Sequence, residues 1–210
     1  MTYQPPIDKM LFLLENVLGF YELSCAEDLD VETIEAILGE AAKLSSDVIA
    51  PLNKVGDEQG LILSDDGSLR MPEGFKAAYD AYRDGGWNAV PFDEEYGGQG
   101  LPWSISFPIQ EMWQGANLSF GLCPLLNQGA VEAILSHGSE ELKQLYLPHL
   151  IEGTWTGTMN LTEPQAGSDL AAVKSKAVPN DDGSYAVSGQ KIYITFGEHD
   201  LADNIIHLVL

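Results

Sequence analysis

The sequence predicts an α+β fold: an all-α domain over residues 1–152, then an incomplete β domain over residues 153–210. Apolar residues recur at helical spacing from Ile7 onward, through successive segments as far as Leu147. Near Gly153 the period changes, and β-favouring residues, alternation and turn signals take over. The last residues, Ile205-Ile206-His207-Leu208-Val209-Leu210, form an unbroken apolar run that reads as a strand needing a partner.

Ile7, Met10, Leu11, Leu14, Val17, Leu18 and Tyr21 place a first helix over 7–23, weakened at its end by Gly19. Asp28 or Asp30 can cap a second helix that runs to Ile49 and stops at Pro51, with Ile34, Ile37, Leu38, Ala41 and Leu44 as its apolar face. Residues 52–71 are mixed, with turn signals at Gly56, Gly60 and Asp66-Gly67. Pro72 suits the first turn of a helix through Tyr82, closed by Gly85-Gly86. Asp93 to Pro102 is a Gly-rich loop whose glycines admit a close backbone approach. Ser104 to Ala116 follows as a helix with Ile105, Ile109, Met112 and Trp113 facing in, and Asn117 to Ser136 as another. Ser139 caps a short helix, with Glu140 and Glu141 in its first turn, that Pro148 should end. Val173–Val178, Tyr185–Ser188, Lys191–Phe196 and Leu201–Leu210 read as strands, with a hairpin turn at Asp182-Gly183.

Composition bounds the function. The 210 residues are 45% hydrophobic, enough for one or two domains with a real core and against disorder. Lys and Arg total 10 against 32 Asp and Glu, a formal charge of −22 that repels nucleic acid and anionic membranes. Sites for anionic ligands must then use backbone donors, helix N-termini, hydroxyls or local cations. The apolar run Met10–Phe20 is interrupted by Glu15 and Asn16, and no run reads as long enough to span a membrane. The opening Met1-Thr2-Tyr3-Gln4-Pro5-Pro6 lacks a basic signal region, so a cytoplasmic location is expected. Cys25 and Cys123 read as buried free thiols, and the histidines form no metal-ligand pattern.

Chemistry concentrates in two stretches. In Asn160-Leu161-Thr162-Glu163-Pro164-Gln165-Ala166-Gly167-Ser168-Asp169 a strand enters a turn. There Gly167 allows tight or positive-φ geometry, the amides near Gly167 and Ser168 can form an anion nest, and Thr162 and Ser168 add hydroxyls. In Lys191-Ile192-Tyr193-Ile194-Thr195, a strand would put Tyr193 and Thr195 on one face, an aromatic beside a hydroxyl suited to a flat ring. Each pattern alone is also that of an ordinary turn or strand.

Together these stretches resemble the acyl-CoA dehydrogenase family. Leu161–Asp169 is similar to its LTEPxAGSD signature and Lys191–Thr195 to its K-x-[WY]-I-[TS] strand. Gly86–Gly100 resembles the loop of its helical domain, and His137–Pro148 its G-[ST]-E-E-x-K-x-x-[YW]-L-P segment. Tyr3–Pro6 and Thr195–Asp200 look like the bacterial branch that includes the 3-(methylthio)propanoyl-CoA dehydrogenases. The resemblance implies a helical domain, then a flavin-binding β barrel that begins here, then a C-terminal helical domain carrying the catalytic base. It also implies FAD as cofactor and oxidation of an acyl-CoA to a 2-enoyl-CoA. The electrons would pass to an electron-transferring flavoprotein, and the full-length protein would be a homodimer or homotetramer. Leu161 and Thr162 would meet the flavin pyrimidine edge. Gly167 and Ser168 would lie by the pyrophosphate, with Ser168 also near the CoA arm, and Tyr193 and Thr195 would flank the isoalloxazine. Tyr193, Phe196 and Met159 depart from the residues most members have there. No catalytic residue is assigned, since no motif supports Glu132 or Glu163 as a base; Glu163 reads as holding the turn. The competing readings are a non-catalytic acyl-CoA or flavin binding module and an acyl-CoA oxidase-like flavoenzyme.

Overall fold

The computed structural model describes residues 3–210, so Met1 and Thr2 lie outside the described residues. Seven α-helices come first among the described residues: α1 (Ile7–Phe12), α2 (Val31–Lys43), α3 (Leu52–Gln59), α4 (Phe75–Asp84), α5 (Trp103–Ala116), α6 (Leu118–His137) and α7 (Glu140–Glu152). A small hairpin of β1 (Ile62–Leu63) and β2 (Leu69–Arg70) interrupts them. The strands that follow are β3 (Trp155–Asn160), β4 (Lys176–Pro179), β5 (Tyr185–Ser188) and β6 (Asn204–Val209).

Local chemistry explains most boundaries. Asp30, not Asp28, caps α2 by accepting from Thr33 N–H at 2.7 Å. Asn117 and Ser139 cap α6 and α7 through Phe120 N–H and Leu142 N–H. Ile105, Ile109, Met112 and Trp113 of α5 are buried, and the Tyr82 ring meets Trp113 and Phe120 edge-on.

Several expectations are corrected. The first helix is not continuous to residue 23: α1 passes into a π-helical turn at Leu13–Val17 and Gly19 breaks the chain at φ 58°. The wider turn rotates the pattern, so Met10 and Leu14 are buried while Val17 and Leu18 are exposed. Residues 52–59 form α3, starting directly after Pro51. Gly56 there is not a turn residue; a Cβ would lie 3.0 Å from the Phe75 ring, so it makes room for packing. Helix α4 starts at Phe75, directly after Gly74 (φ 87°), so Pro72 precedes it rather than lying in its first turn. Pro148 lies inside α7, which runs on to Glu152. Leu147, Leu150 and Ile151 are buried, and the carbonyls near its C-terminus are taken by side chains from elsewhere. Asn88 Nδ2 donates to Leu150 O and Ile151 O, Asn127 Nδ2 to Leu150 O at 2.8 Å, and Tyr79 Oη to Gly153 O at 2.9 Å. Helix α6 is itself long and apolar enough to cross a membrane, contrary to the reading of the sequence, with mean hydropathy 1.3. Its buried Asn127 and Gln128, and its packing against α5, α7 and β3, make it a core helix. Cys25 is exposed; Cys123 is buried, and burial pushes its thiol pKa up.

In the β part, β6 finds its partner in β3, pairing parallel from Trp155↔Asn204 to Asn160↔Val209. This sheet rests on α6, where Gly157 faces Ala130. β4 and β5 form an antiparallel hairpin about Gly183 (φ 85°), exposed on both faces. The strand expected from Val173 begins only at Lys176, because the amides of Lys174 and Ser175 turn to the Glu163 carboxylate instead of a ladder. Lys191–Phe196 is not a strand: Tyr193 (φ 58°) and Phe196 (φ 52°) interrupt the pleat.

Candidate functional site

A cleft of about 800 Å³ opens between the helical part and the β strands. Leu61, Met71, Phe75 and Leu122 form its apolar helical side, and Asn160, Lys191, Thr195, Phe196, Glu198 and His207 the other. Its size and mostly apolar walls with a few polar groups are those of a small-molecule site. One bond ties the two sides: Met71 N–H donates to Asp200 Oδ1 at 3.0 Å.

The turn after β3 is built around Glu163. Its backbone pairs with Ala166, and its buried carboxylate accepts from Lys174 N–H (2.8 Å), Ser175 N–H (2.9 Å), Ser175 Oγ, Gln165 Nε2 and Lys191 Nζ (2.9 Å). The Ser175 hydroxyl, then the Lys174 amide, hold its pKa far below the usual carboxylate range. A carboxylate so engaged has no capacity to take a proton at neutral pH, and Glu163 holds the turn.

Of the six residues singled out in the sequence, Thr195 lines the cleft. Leu161 and Thr162 are half-buried and joined to the 191–192 segment, Leu161 O accepting from Lys191 Nζ at 3.0 Å and Thr162 O from Ile192 N–H at 3.0 Å. Gly167 and Ser168 are exposed. Gly167 does not adopt positive φ, and a Cβ there would meet nothing within 4 Å. Tyr193 is 90% exposed and does not share a strand face with Thr195. Met112 and Trp113 are core, as their inward-facing positions on the helix predict, whereas Leu122 reaches the cleft. In the Tyr96–Gly100 loop, Gly98 serves the chain's own packing, since a Cβ there would fall 1.9 Å from Phe92 O, while Gly97 (φ 90°) and Gly100 (φ 66°) adopt left-handed backbone.

Sequence reasoning missed the polar floor of the cleft. Thr158 Oγ1 donates to Asn160 Oδ1 at 2.7 Å and lies 2.7 Å from His207 Nδ1. Asn160 Nδ2 lies 3.4 Å from the same His207 Nδ1, so Thr158, Asn160 and His207 form one polar cluster at the cleft. Behind it, Leu201 N–H donates to His199 Nδ1 at 3.1 Å, so the neutral ring bears its proton on Nε2 and donates to Thr156 Oγ1 at 3.0 Å. Burial holds the His199 pKa below its ordinary value, against the opposing pull of Glu198 and Asp200. Only the parallel register of β3 and β6 brings Thr158 beside His207, a pairing with no sequence signal of its own.

An acyl-CoA dehydrogenase N-terminal domain model matches residues 32–154, and an acyl-CoA dehydrogenase middle domain model matches residues 158–209. The chain belongs to the acyl-CoA dehydrogenase family. It is 46% identical to a 3-methylmercaptopropionyl-CoA dehydrogenase of Ruegeria pomeroyi over 100% of this chain and 36% of that protein. The chain thus spans about a third of the length of that relative. Among solved structures, butyryl-CoA dehydrogenase from Megasphaera elsdenii is similar at TM-score 0.70 and 26% identity, over 87% of this chain and 45% of that one. An acyl-CoA dehydrogenase complexed with FAD from Bacillus anthracis is similar at TM-score 0.65 and 26% identity, over 80% of this chain and 27% of that one.

Proposed function

We propose that the complete protein containing this chain oxidises an acyl-CoA thioester to its 2-enoyl-CoA with FAD, and that residues 1–210 supply the helical wall of the site and the first flavin-contacting segments, without the catalytic base. The observation that carries this reading is the cleft itself. It is apolar on the helical side and polar on the β side, and it lies between the two segments matched by the family models.

The residues present fit a flavin. Gly167 is exposed with open space about its Cα, so a ligand can approach its backbone amide closely. Gly167 and Ser168 would offer amides and a hydroxyl to the pyrophosphate, with Ser168 also near the CoA arm. Leu161 and Thr162 would offer backbone and hydroxyl groups to the pyrimidine edge. Thr195 would flank the isoalloxazine from the cleft and Tyr193 from outside it. Uncharged donors can hold an anionic cofactor even in a protein of charge −22, because oriented amides and hydroxyls donate hydrogen bonds directly to its oxygens. Bound there, FAD supplies the hydride acceptor. The chain's own groups bind and orient, and the apolar helical side excludes water from the acyl chain.

A short acyl chain, thioether-bearing ones included, suits a cleft of about 800 Å³ and the relationship to the Ruegeria enzyme. An electron-transferring flavoprotein as acceptor, a homodimer or homotetramer, and a cytoplasmic setting complete the proposal. The test is to purify the complete gene product and record flavin absorbance while adding short acyl-CoAs. A yellow protein that bleaches is expected, and Gly167→Ala should weaken FAD binding while leaving the melting temperature of the flavin-free protein unchanged. A colourless protein with no thermal shift on adding FAD refutes the reading.

A further inference from the structure

The residues proposed to contact flavin lie on three separate stretches, 161–162, 167–168 and 193–195. No strand pairing joins these stretches among the described residues, since β3 ends at Asn160 and β5 at Ser188. Among the described residues, one backbone hydrogen bond links the first stretch to the third segment, from Ile192 N–H to Thr162 O. The other links are side-chain bonds, and they converge on Glu163 and Lys191.

Lys191 Nζ donates to Leu161 O at 3.0 Å and to Glu163 Oε1 at 2.9 Å, which ties the 191–195 segment to the 161–166 turn. Glu163 draws in the 174–175 segment through Lys174 N–H, Ser175 N–H and Ser175 Oγ. The pair is enclosed, with side chains 10% and 3% exposed. Gly189 completes the arrangement: a Cβ there would lie 2.1 Å from Ser175 Oγ and would push Ser175 off Glu163. Lys191 is also the single Lys or Arg among the residues lining the cleft. Buried ion pairs contribute little net stability over apolar groups of similar shape, but their geometry is specific. This pair meets three segments whose other links are the Ile192 N–H to Thr162 O bond, Gln165 Nε2 to Ala172 O and the hairpin that ends at Lys176↔Ser188.

We infer that Glu163 and Lys191 are a positioning pair that sets the spacing between the Leu161-Thr162 turn and the Tyr193–Thr195 segment, and so shapes the flavin cradle without touching the reacting atoms. This rests on the flavin reading above. Lys191→Met removes both bonds and leaves the Glu163 carboxylate with its neutral donors. Lys191→Arg keeps the charge and donors that can reach both acceptors.

The test uses the complete gene product, FAD titration by fluorescence quenching, the visible flavin spectrum, and hydrogen exchange of residues 191–196 in the flavin-free protein. Lys191→Met should weaken FAD binding by about tenfold or more, the scale on which supporting groups act on a site. It should also alter the flavin band shape and speed exchange at Ile192 N–H, while Lys191→Arg recovers most of the affinity. A folded Lys191→Met variant with wild-type affinity, spectrum and exchange overturns the inference while the flavin reading stands. A wild-type protein that takes up no FAD overturns both. Should Lys191→Met fail to fold, Ser175→Ala takes its place; faster exchange at Ile192 N–H and FAD binding weaker by a few-fold support the inference, and no change in either overturns it.

Discussion

Gly157→Ala is a one-methyl change at the contact that seats the β part on the helices. Gly157 is buried in β3 against α6, and a Cβ added to it would lie 2.2 Å from Ala130 Cβ. Two carbons need about 3.7 Å, so the strand and helix must separate by roughly 1.5 Å. β3 cannot yield alone, because it is paired along its whole length with β6. Overpacking of this kind costs about 1–3 kcal/mol. In a chain of this size that lowers the melting temperature by roughly 3–10 °C. The strain also reaches the cleft, since α6 carries Leu122 and β3 carries Asn160. The assay is urea unfolding of the wild type, Gly157→Ala, Ala130→Gly and the double variant. Ala130→Gly alone should cost about 1 kcal/mol from the helix. The double variant should be more stable than the sum of the two single changes by about 1–2 kcal/mol, because the second change removes the clash made by the first. A single-variant effect below about 0.5 kcal/mol, or strict additivity, would refute this account of the interface.

Three further outcomes follow from the buried polar groups. Glu163 has a folded pKa below its ordinary 4.5, so its contribution to stability is present above about pH 4.5 and is lost as pH falls. His199 is likewise held below its ordinary 6.5 and stays neutral when folded, so a cost appears as pH falls below about 6.5. Acid also relieves the repulsion of a −22 chain, so the variants decide the matter: His199→Gln should flatten the melting-temperature profile just below pH 6.5, and Glu163→Gln should flatten it below pH 4.5. Asn127→Ala removes a buried donor to Leu150 O. It should cost about 1–3 kcal/mol by urea unfolding, with faster hydrogen exchange in the last turn of α7.

Helix spacing, cap residues and turn dipeptides were legible along the chain because each acts over a few residues. Ser139 caps the helix it precedes, Asp30 is one of the two caps the sequence offers for α2, and Asp66-Gly67 and Asp182-Gly183 turn hairpins. The errors fall where a distant partner overrides a local rule. Pro148 suggested an end to α7, but Asn88 and Asn127 satisfy carbonyls farther on. Gly56 looked like a turn because its packing partner, Phe75, is distant in sequence. Lys191–Phe196 has strand-like residues but no partner strand among the described residues, and its lysine is drawn to Glu163.

The sequence by itself determined the helical part, the change to β structure near Gly153 and, through ordered motifs, the family. Those are local or linear signals: periodicity, caps, turns and residue order. The tertiary structure alone decided the cleft, the parallel pairing that puts Thr158 beside His207, and the Glu163–Lys191 pair that joins the candidate flavin segments. Each of these depends on residues far apart in the chain, whose meeting is set by packing and strand register and leaves no local pattern to read.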